Sequence, residues 1–335
     1  MTTFMKTLPA ALIFSAAAAT AYANDSTAAL GAGGLVLTEN ADIRMASEDL
    51  FVSREAVRVR YSFVNDSAAP ITTRVAFPMP EADMAILSES DVGWPSKDMR
   101  NVIDFRIRVD GREVRPDLEE KAVLNGVDVT PILRKYRVPI DYAVHKTLDY
   151  VAKLPAAAKN DLVARKLIIV LPDYIQATWI VKNTFHWVQT FPAGRPLAVE
   201  HDYKPVVGGS FLPAGAFFEL KGKALSDDYY KNFCIDAGTQ AGIASRLRAL
   251  QKRDGENAML IQWVVDYVLT TGKNWKGAIG RFRLTVDKGQ PDNVISFCMD
   301  GVRKSGPTTF VVERTNFEPD RDLSVMIFEP PVPSR

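Results

Sequence analysis

The chain has 335 residues, 47% of them apolar and 24% charged, with a formal net charge of +1. Those values belong to a folded globular protein and exclude a wholly disordered chain. Near-neutral charge, with no run of like charges, leaves no electrostatic footprint for nucleic acid.

The N-terminus has the three parts of a secretion signal. Lys6 supplies the positive start, Leu8 to Thr20 is an Ala-rich apolar run, and Ala21-Tyr22-Ala23 fits the small-x-small cleavage pattern. The apolar run is too short to span roughly 30 Å of hydrocarbon as a helix. A signal peptide over 1–23 is expected, cut between Ala23 and Asn24, with export to the periplasm. Of 335 residues, 312 then remain, and loss of Lys6 leaves bases and acids equal in number. No later segment is apolar enough to span a membrane, so no transmembrane segment is expected in the mature chain. Cys234 and Cys298 are the two cysteines. An isolated pair in an oxidising compartment reads as a disulfide.

Beyond the signal, alternation with period two dominates. Val57, Val59, Tyr61 and Phe63 share a face, and Ile71, Thr73, Val75 and Phe77 resume the pattern after a polar break. Ile103, Phe105, Ile107 and Val109 form another inward set, ending at the turn dipeptide Asp110-Gly111. Between Pro116 and Lys166 the pattern turns helical, with Pro131 in a first turn, Leu148, Val151 and Leu154 as one stripe, and Ala156 to Val163 as a third helix.

Strands return at Leu167 to Leu171. Trp179, Val181, Phe185, Trp187 and Phe191 then point one way, and Leu197, Val199, His201 and Tyr203 share a face of the returning strand. Ala216 to Lys221 reads as a further strand. Ser226 reads as the cap of a short helix with Asp227 and Asp228 in its first turn, where negative charge meets the dipole. A helix carries Ile243, Leu247 and Leu250, and the C-terminal region is rich in strands. The expected fold is mainly β: two antiparallel β-sandwich-like units with helical insertions. The expected regions are 24–115 (β), 116–166 (helical insertion), 167–225 (hairpins completing the first unit) and 226–335 (strands, short helices and the disulfide).

Several stretches together resemble one bacterial family. They are Leu30-Gly31-Ala32-Gly33-Gly34-Leu35, Met45 to Leu50, Val75-Ala76-Phe77-Pro78-Met79-Pro80, Trp187 to Pro192, His201 to Gly208, and Tyr267 to Gly272 with Asn274-Trp275. The family is domain of unknown function 4424. The resemblance covers nearly the whole mature chain and implies secreted, mostly-β proteins of Gram-negative bacteria. It implies no activity, so no catalytic residue carries over.

The chemistry must therefore be weighed residue by residue. Gly31-x-Gly33-Gly34 lacks the strand-to-helix context of a nucleotide-binding turn and reads as a flexible approach to the first strand. No G-x-S-x-G, H-E-x-x-H, Walker A or EF-hand pattern occurs. His145, His186 and His201 are not expected to converge on a metal, and no cofactor is expected. His201, on an otherwise apolar face beside Tyr203, reads as a core imidazole, or as a proton-transfer or ligand-binding group at a pocket rim. Trp179, Trp187, Phe185 and Phe191 read as core or as a sugar-stacking platform. Glu48-Asp49, with Asp42 nearby, reads as a turn or a cation site. Asn274 and Trp275 read as an exposed loop that contacts a partner. The binding candidates are thus His201, Tyr203, Asn274 and Trp275. The leading expectation is a non-catalytic periplasmic module that binds an envelope protein or glycan. The alternatives are a periplasmic hydrolase using carboxylates and His201, and a structural partner in an envelope assembly.

Overall fold

The computed structural model describes residues 25–31, 34–89, 93–219 and 231–332. The expected signal, its cleavage point at Ala23 and Asn24, and the helix start at Ser226 to Asp228 lie outside the described residues.

Six strands come first: β1 (Ser26–Gly31), β2 (Gly34–Thr38), β3 (Ile43–Ser53), β4 (Val57–Asn65), β5 (Ile71–Pro78) and β6 (Ala82–Asp83). Helix α1 (Met84–Glu89) is followed by β7 (Arg106–Val109), β8 (Arg112–Val114), β9 (Asp117–Leu124) and β10 (Val127–Asp128). Three short helices then intervene, α2 (Thr130–Lys135), α3 (Val144–Ala152) and α4 (Ala156–Ala164). After them run β11 (Ile168–Val170), β12 (Ile175–Ala177), β13 (Ile180–Phe191), β14 (Pro196–Tyr203) and β15 (Gly208–Pro213). The rest comprises α5 (Ala214–Glu219), α6 (Ala237–Asp254), β16 (Met259–Tyr267), β17 (Ile279–Asp287), β18 (Val294–Phe297), β19 (Arg303–Lys304), β20 (Thr309–Phe317) and β21 (Leu323–Glu329).

The mainly-β expectation holds, with four sheets among the described residues. The first has the order β10-β9-β13-β5-β1-β2, with β6 beside β13; the second has the order β19-β20-β17-β3-β4-β14-β7-β8. A third, β15-β16-β21-β18, and the two-stranded β11-β12 complete the set. The inward sets read from the sequence meet between the first two sheets: Val75, Phe77, Phe185 and Trp187 from one, Val59, Tyr61, Val199 and His201 from the other, all buried. The third sheet shares this core through Val265, Tyr267, Val325 and Ile327. Its other face, with Leu260, Met326 and Phe328, packs on Ile243, Leu247 and Leu250 of α6. The side chain of Asp236 accepts from the backbone N–H of Thr239 and starts that helix. Cys234 and Cys298 form the expected disulfide.

Four expectations need correction. The strands are not all antiparallel, because β17 lies parallel to β3. That pairing carries C-terminal strands into the second sheet, so hydrogen bonds cross the expected boundary at residue 226. The insertion is not helical from Pro116; β9 and β10 belong to the first sheet, and helix begins only at Thr130. Ala214–Glu219 is helix where a strand from Ala216 was expected. A short apolar run fits either state, and burial of Ala214 and Phe217, three apart, fits the helical period. Finally, Gly31 and Gly34 are not a loose approach to the sheet: they face each other at the end of the paired strands β1 and β2.

The outer face of the second sheet has a different character. Reading across one register gives Glu313, Arg283, Asp49, Arg60, Glu200, Arg108 and Glu113, strictly alternating in sign over seven strands. Asp49 therefore belongs to a cross-strand charge row, not to a turn or cation site.

Candidate functional site

Glu48 is aimed inward by a backbone irregularity. In β3, Ile43 and Met45 are buried, whereas beyond Ala46 the buried positions become Glu48, Leu50 and Val52. The register shifts between Met45 and Ser47, a β-bulge that changes the parity of the strand. Gly280 on the neighbouring β17 makes room for it, since a Cβ there would stand 2.7 Å from the Ala46 carbonyl oxygen.

Around Glu48 the core is unusually polar. Tyr267 Oη donates to Glu48 Oε1 at 3.0 Å. Tyr61 Oη lies 2.9 Å from Tyr267 Oη and, because the Tyr267 proton is committed to Glu48, must be the donor. His201 stands beside them, its ring edge-on to Tyr61, Phe77, Phe105 and Trp187 at centroid distances of 5.0–5.8 Å. Its Nε2 is 3.3 Å from Asp25 Oδ2, with both side chains 1% exposed. Among the described residues, Glu48 Oε2, His201 Nδ1 and Tyr203 Oη have no hydrogen-bond partner.

Burial governs the charges here. It pushes the Asp25 carboxyl well above the usual carboxylate range, and the nearby Glu48 charge adds to the effect. It pushes Glu48 up to about 7, partly offset by the Tyr267 hydrogen bond. It pulls His201 down to about 3. Although its geometry is that of an ion pair, the Asp25–His201 contact joins two groups that burial holds in their neutral forms. Burial raises all three tyrosines, Tyr61, Tyr203 and Tyr267. The cluster is a sealed, largely uncharged polar core.

The residues singled out from the sequence do converge, but on the chain's own N-terminal strand. Asp25, Ser26 and Thr27 are at most 1% exposed. His201 meets the Asp25 side chain, Trp275 Nε1 donates to the Asp25 carbonyl at 3.2 Å, and Asn274 Nδ2 donates to Ser26 Oγ at 2.7 Å. Trp275 is 2% exposed and packs on Phe63 and Phe191. The expectation of an exposed partner-binding loop is thus wrong for Trp275: the turn Thr270–Asn274 folds back onto the core because the N-terminal strand supplies its hydrogen-bond partners. Tyr203 is buried against Phe77 and Phe105. Trp179, Trp187, Phe185 and Phe191 are buried too, which makes them core and leaves no face for a sugar.

The three histidines stay apart. His186 contacts Arg74 at 2.7 Å, and burial with the Arg74 charge lowers its pKa. His145 is exposed on α3. Sequence reasoning missed Asp25, which looked like the plain start of a mature chain, and the inward aim of Glu48, which depends on a bulge with no local signature.

Open space lies elsewhere. Where the chain crosses from β8 to β9, the mouth between the two main sheets forms a cleft of about 800 Å³. Its lining includes Phe105 and Phe185, stacked at 5.2 Å, together with Leu118. Arg100, bound to Glu120, and Arg106, bound to Asp104, stiffen its rim. Arg115, Glu113 and Asp117 also line it and make no ion pair among the described residues. Phe105 separates this cleft from His201.

Fold and site together define a mostly-β protein with a sealed acid–histidine–tyrosine core and open clefts at its surface. The chain belongs to the family described as Domain of unknown function (DUF4424), whose profile matches residues 23–326. No curated protein matches the sequence. Among solved structures, a candidate nutrient-binding protein of Legionella pneumophila subsp. pneumophila is similar at 15% identity, over 87% of this chain and 68% of that one, with a TM-score of 0.44. No helix among the described residues is long and apolar enough to cross a membrane.

Proposed function

We propose that the protein is an exported, non-catalytic binding module that takes a component of the cell envelope in the cleft between β8 and β9. The observation that supports this reading is the contrast in access. The groups best suited to proton transfer, Asp25, Glu48 and His201, are sealed, whereas Arg115, Glu113 and Asp117 line an open cleft with no ion pair among the described residues. A ligand with both charge signs flanking an apolar portion fits that lining, where Val114, Pro116 and Leu118 supply the apolar part. Export rests on the Lys6-to-Ala23 segment, and N-terminal sequencing of the periplasmic product should begin at Asn24.

The binding test is capture from a periplasmic extract by the mature protein, with components identified by mass spectrometry. Arg115→Ala combined with Asp117→Asn should lose the captured component without lowering the Tm. Capture that is unchanged by both substitutions would overturn the assignment of the cleft. Turnover of an envelope substrate that disappears in His201→Gln would instead establish the hydrolase.

A further inference from the structure

A second cleft, of about 660 Å³, lies between the end of α1, one face of α3 and the β11–β12 hairpin. Its charged lining is of one sign. Glu89, Asp149 and Asp173 contribute carboxylates, neither lysine nor arginine is among the lining residues, and His145 is the one basic side chain there. The Glu89 carboxylate is held by Gln176 Nε2 at 3.2 Å, while Asp149 and Asp173 make no ion pair among the described residues. Leu148, Leu171, Tyr174 and Ile175 supply the apolar part of the wall.

The same hairpin exposes apolar side chains that a solvated surface does not need. Tyr174 is 51% exposed, Val170 57% and Ile169 46%. Val170 pairs with Ile175, a lining residue, and therefore shares its face of the ladder. Ile169 pairs with Gln176, whose amide reaches Glu89 at the cleft. Apolar surface thus runs on from the acidic wall through Tyr174 and Val170, whereas Ile169, the next residue along, faces the other side of the ladder. Exposed apolar surface that continues a cleft wall in this way marks interaction sites.

We propose that this cleft docks a segment of a partner protein that presents lysine or arginine beside an apolar side chain. The one-signed lining selects the cation. Tyr174 and Val170 provide the surface on which the neighbouring apolar side chain lies. The mature chain carries no net charge, so attraction of a basic segment comes from this local lining and not from the molecule as a whole.

The test uses the mature full chain and two synthetic peptides, one alternating leucine with lysine, the other leucine with glutamate. Calorimetry should show the lysine peptide binding and the glutamate peptide not. The double variant Asp149→Lys with Asp173→Lys should weaken the lysine peptide by about tenfold or more and admit the glutamate peptide. Tyr174→Ala should also weaken binding, at unchanged salt sensitivity. Asp320→Lys, an exposed acid outside the cleft, should change nothing. All these side chains are exposed, so folding should survive each change. Equal binding of the two peptides, or indifference to charge reversal in the cleft, would overturn the proposal. So would indifference to Tyr174→Ala, because pure charge attraction would then account for everything.

Discussion

Strand β14 carries two kinds of charge chemistry on its two faces. Outward, Glu200 meets Arg60 at 3.0 Å in the alternating row that crosses the second sheet, and Asp202, beside that row, meets its Arg108 at 2.8 Å. Inward, one residue away, His201 meets Asp25 in a core closed to water. The outer pairs interact through solvent and are screened by salt. The inner groups are kept neutral by the cost of burying charge, so their protonation is tied to whether the chain is folded. The same strand is therefore tolerant on its wet face and sensitive to pH on its dry one.

Substitutions should reveal that asymmetry, beginning with the aromatic side chains that enclose the dry face. Trp187→Ala and Trp275→Ala should each cost about 3 to 5 kcal/mol by denaturant unfolding, since both rings are almost fully buried. A cost below about 1 kcal/mol for Trp275→Ala would restore the exposed-loop reading. Cys234→Ser should come second, at roughly 4 kcal/mol in the chain-entropy model for a loop of this length, read by the same titration.

Next comes the pH dependence of stability. Glu48 rises from 4.5 to about 7 on folding, so its contribution is whole below pH 4.5 and is lost as pH climbs towards 7. Asp25, also raised, acts in the same direction. His201 falls from 6.5 to about 3, so its contribution is whole above pH 6.5 and is lost as pH drops towards 3. Stability is thus eroded from both sides. Glu48→Gln should remove a loss on the order of 3 kcal/mol between pH 4.5 and 7, leaving the acid side intact. His201 slopes the other way between pH 4.5 and 6.5, so the Glu48 effect is read as the difference between the two curves. A wild-type curve parallel to that of Glu48→Gln across the interval would contradict the account. At the small end, Arg60→Ala on the wet face should cost about 0.2 to 1 kcal/mol at low salt and less at high salt. A larger loss, insensitive to salt, would show that the outer row behaves like the core.

Much of this was legible in the sequence because strand faces alternate. The inward sets around Tyr61, Trp187 and His201 come from period two, and the disulfide from an isolated cysteine pair. Three features were not legible, each for a physical reason. A bulge at Ala46 inverts the parity that period two depends on, which hid Glu48. Parallel pairing of β3 with β17 joins segments more than 200 residues apart, with nothing local to signal it. Trp275 comes after Gly272-Lys273-Asn274, a polar turn that looks exposed until the N-terminal strand lies across it. Loop chemistry predicts a turn, but not which distant strand will cover it.

The central claim is that His201 is locked in a dry core against Asp25 and does no proton transfer with solvent. The most direct test is the NMR titration of its imidazole in the folded protein. The ring should stay neutral from pH 7.5 down to pH 4, with its side-chain shifts unmoved. A His201 midpoint near the ordinary histidine value of about 6.5 would contradict the account and make this residue a working group open to solvent.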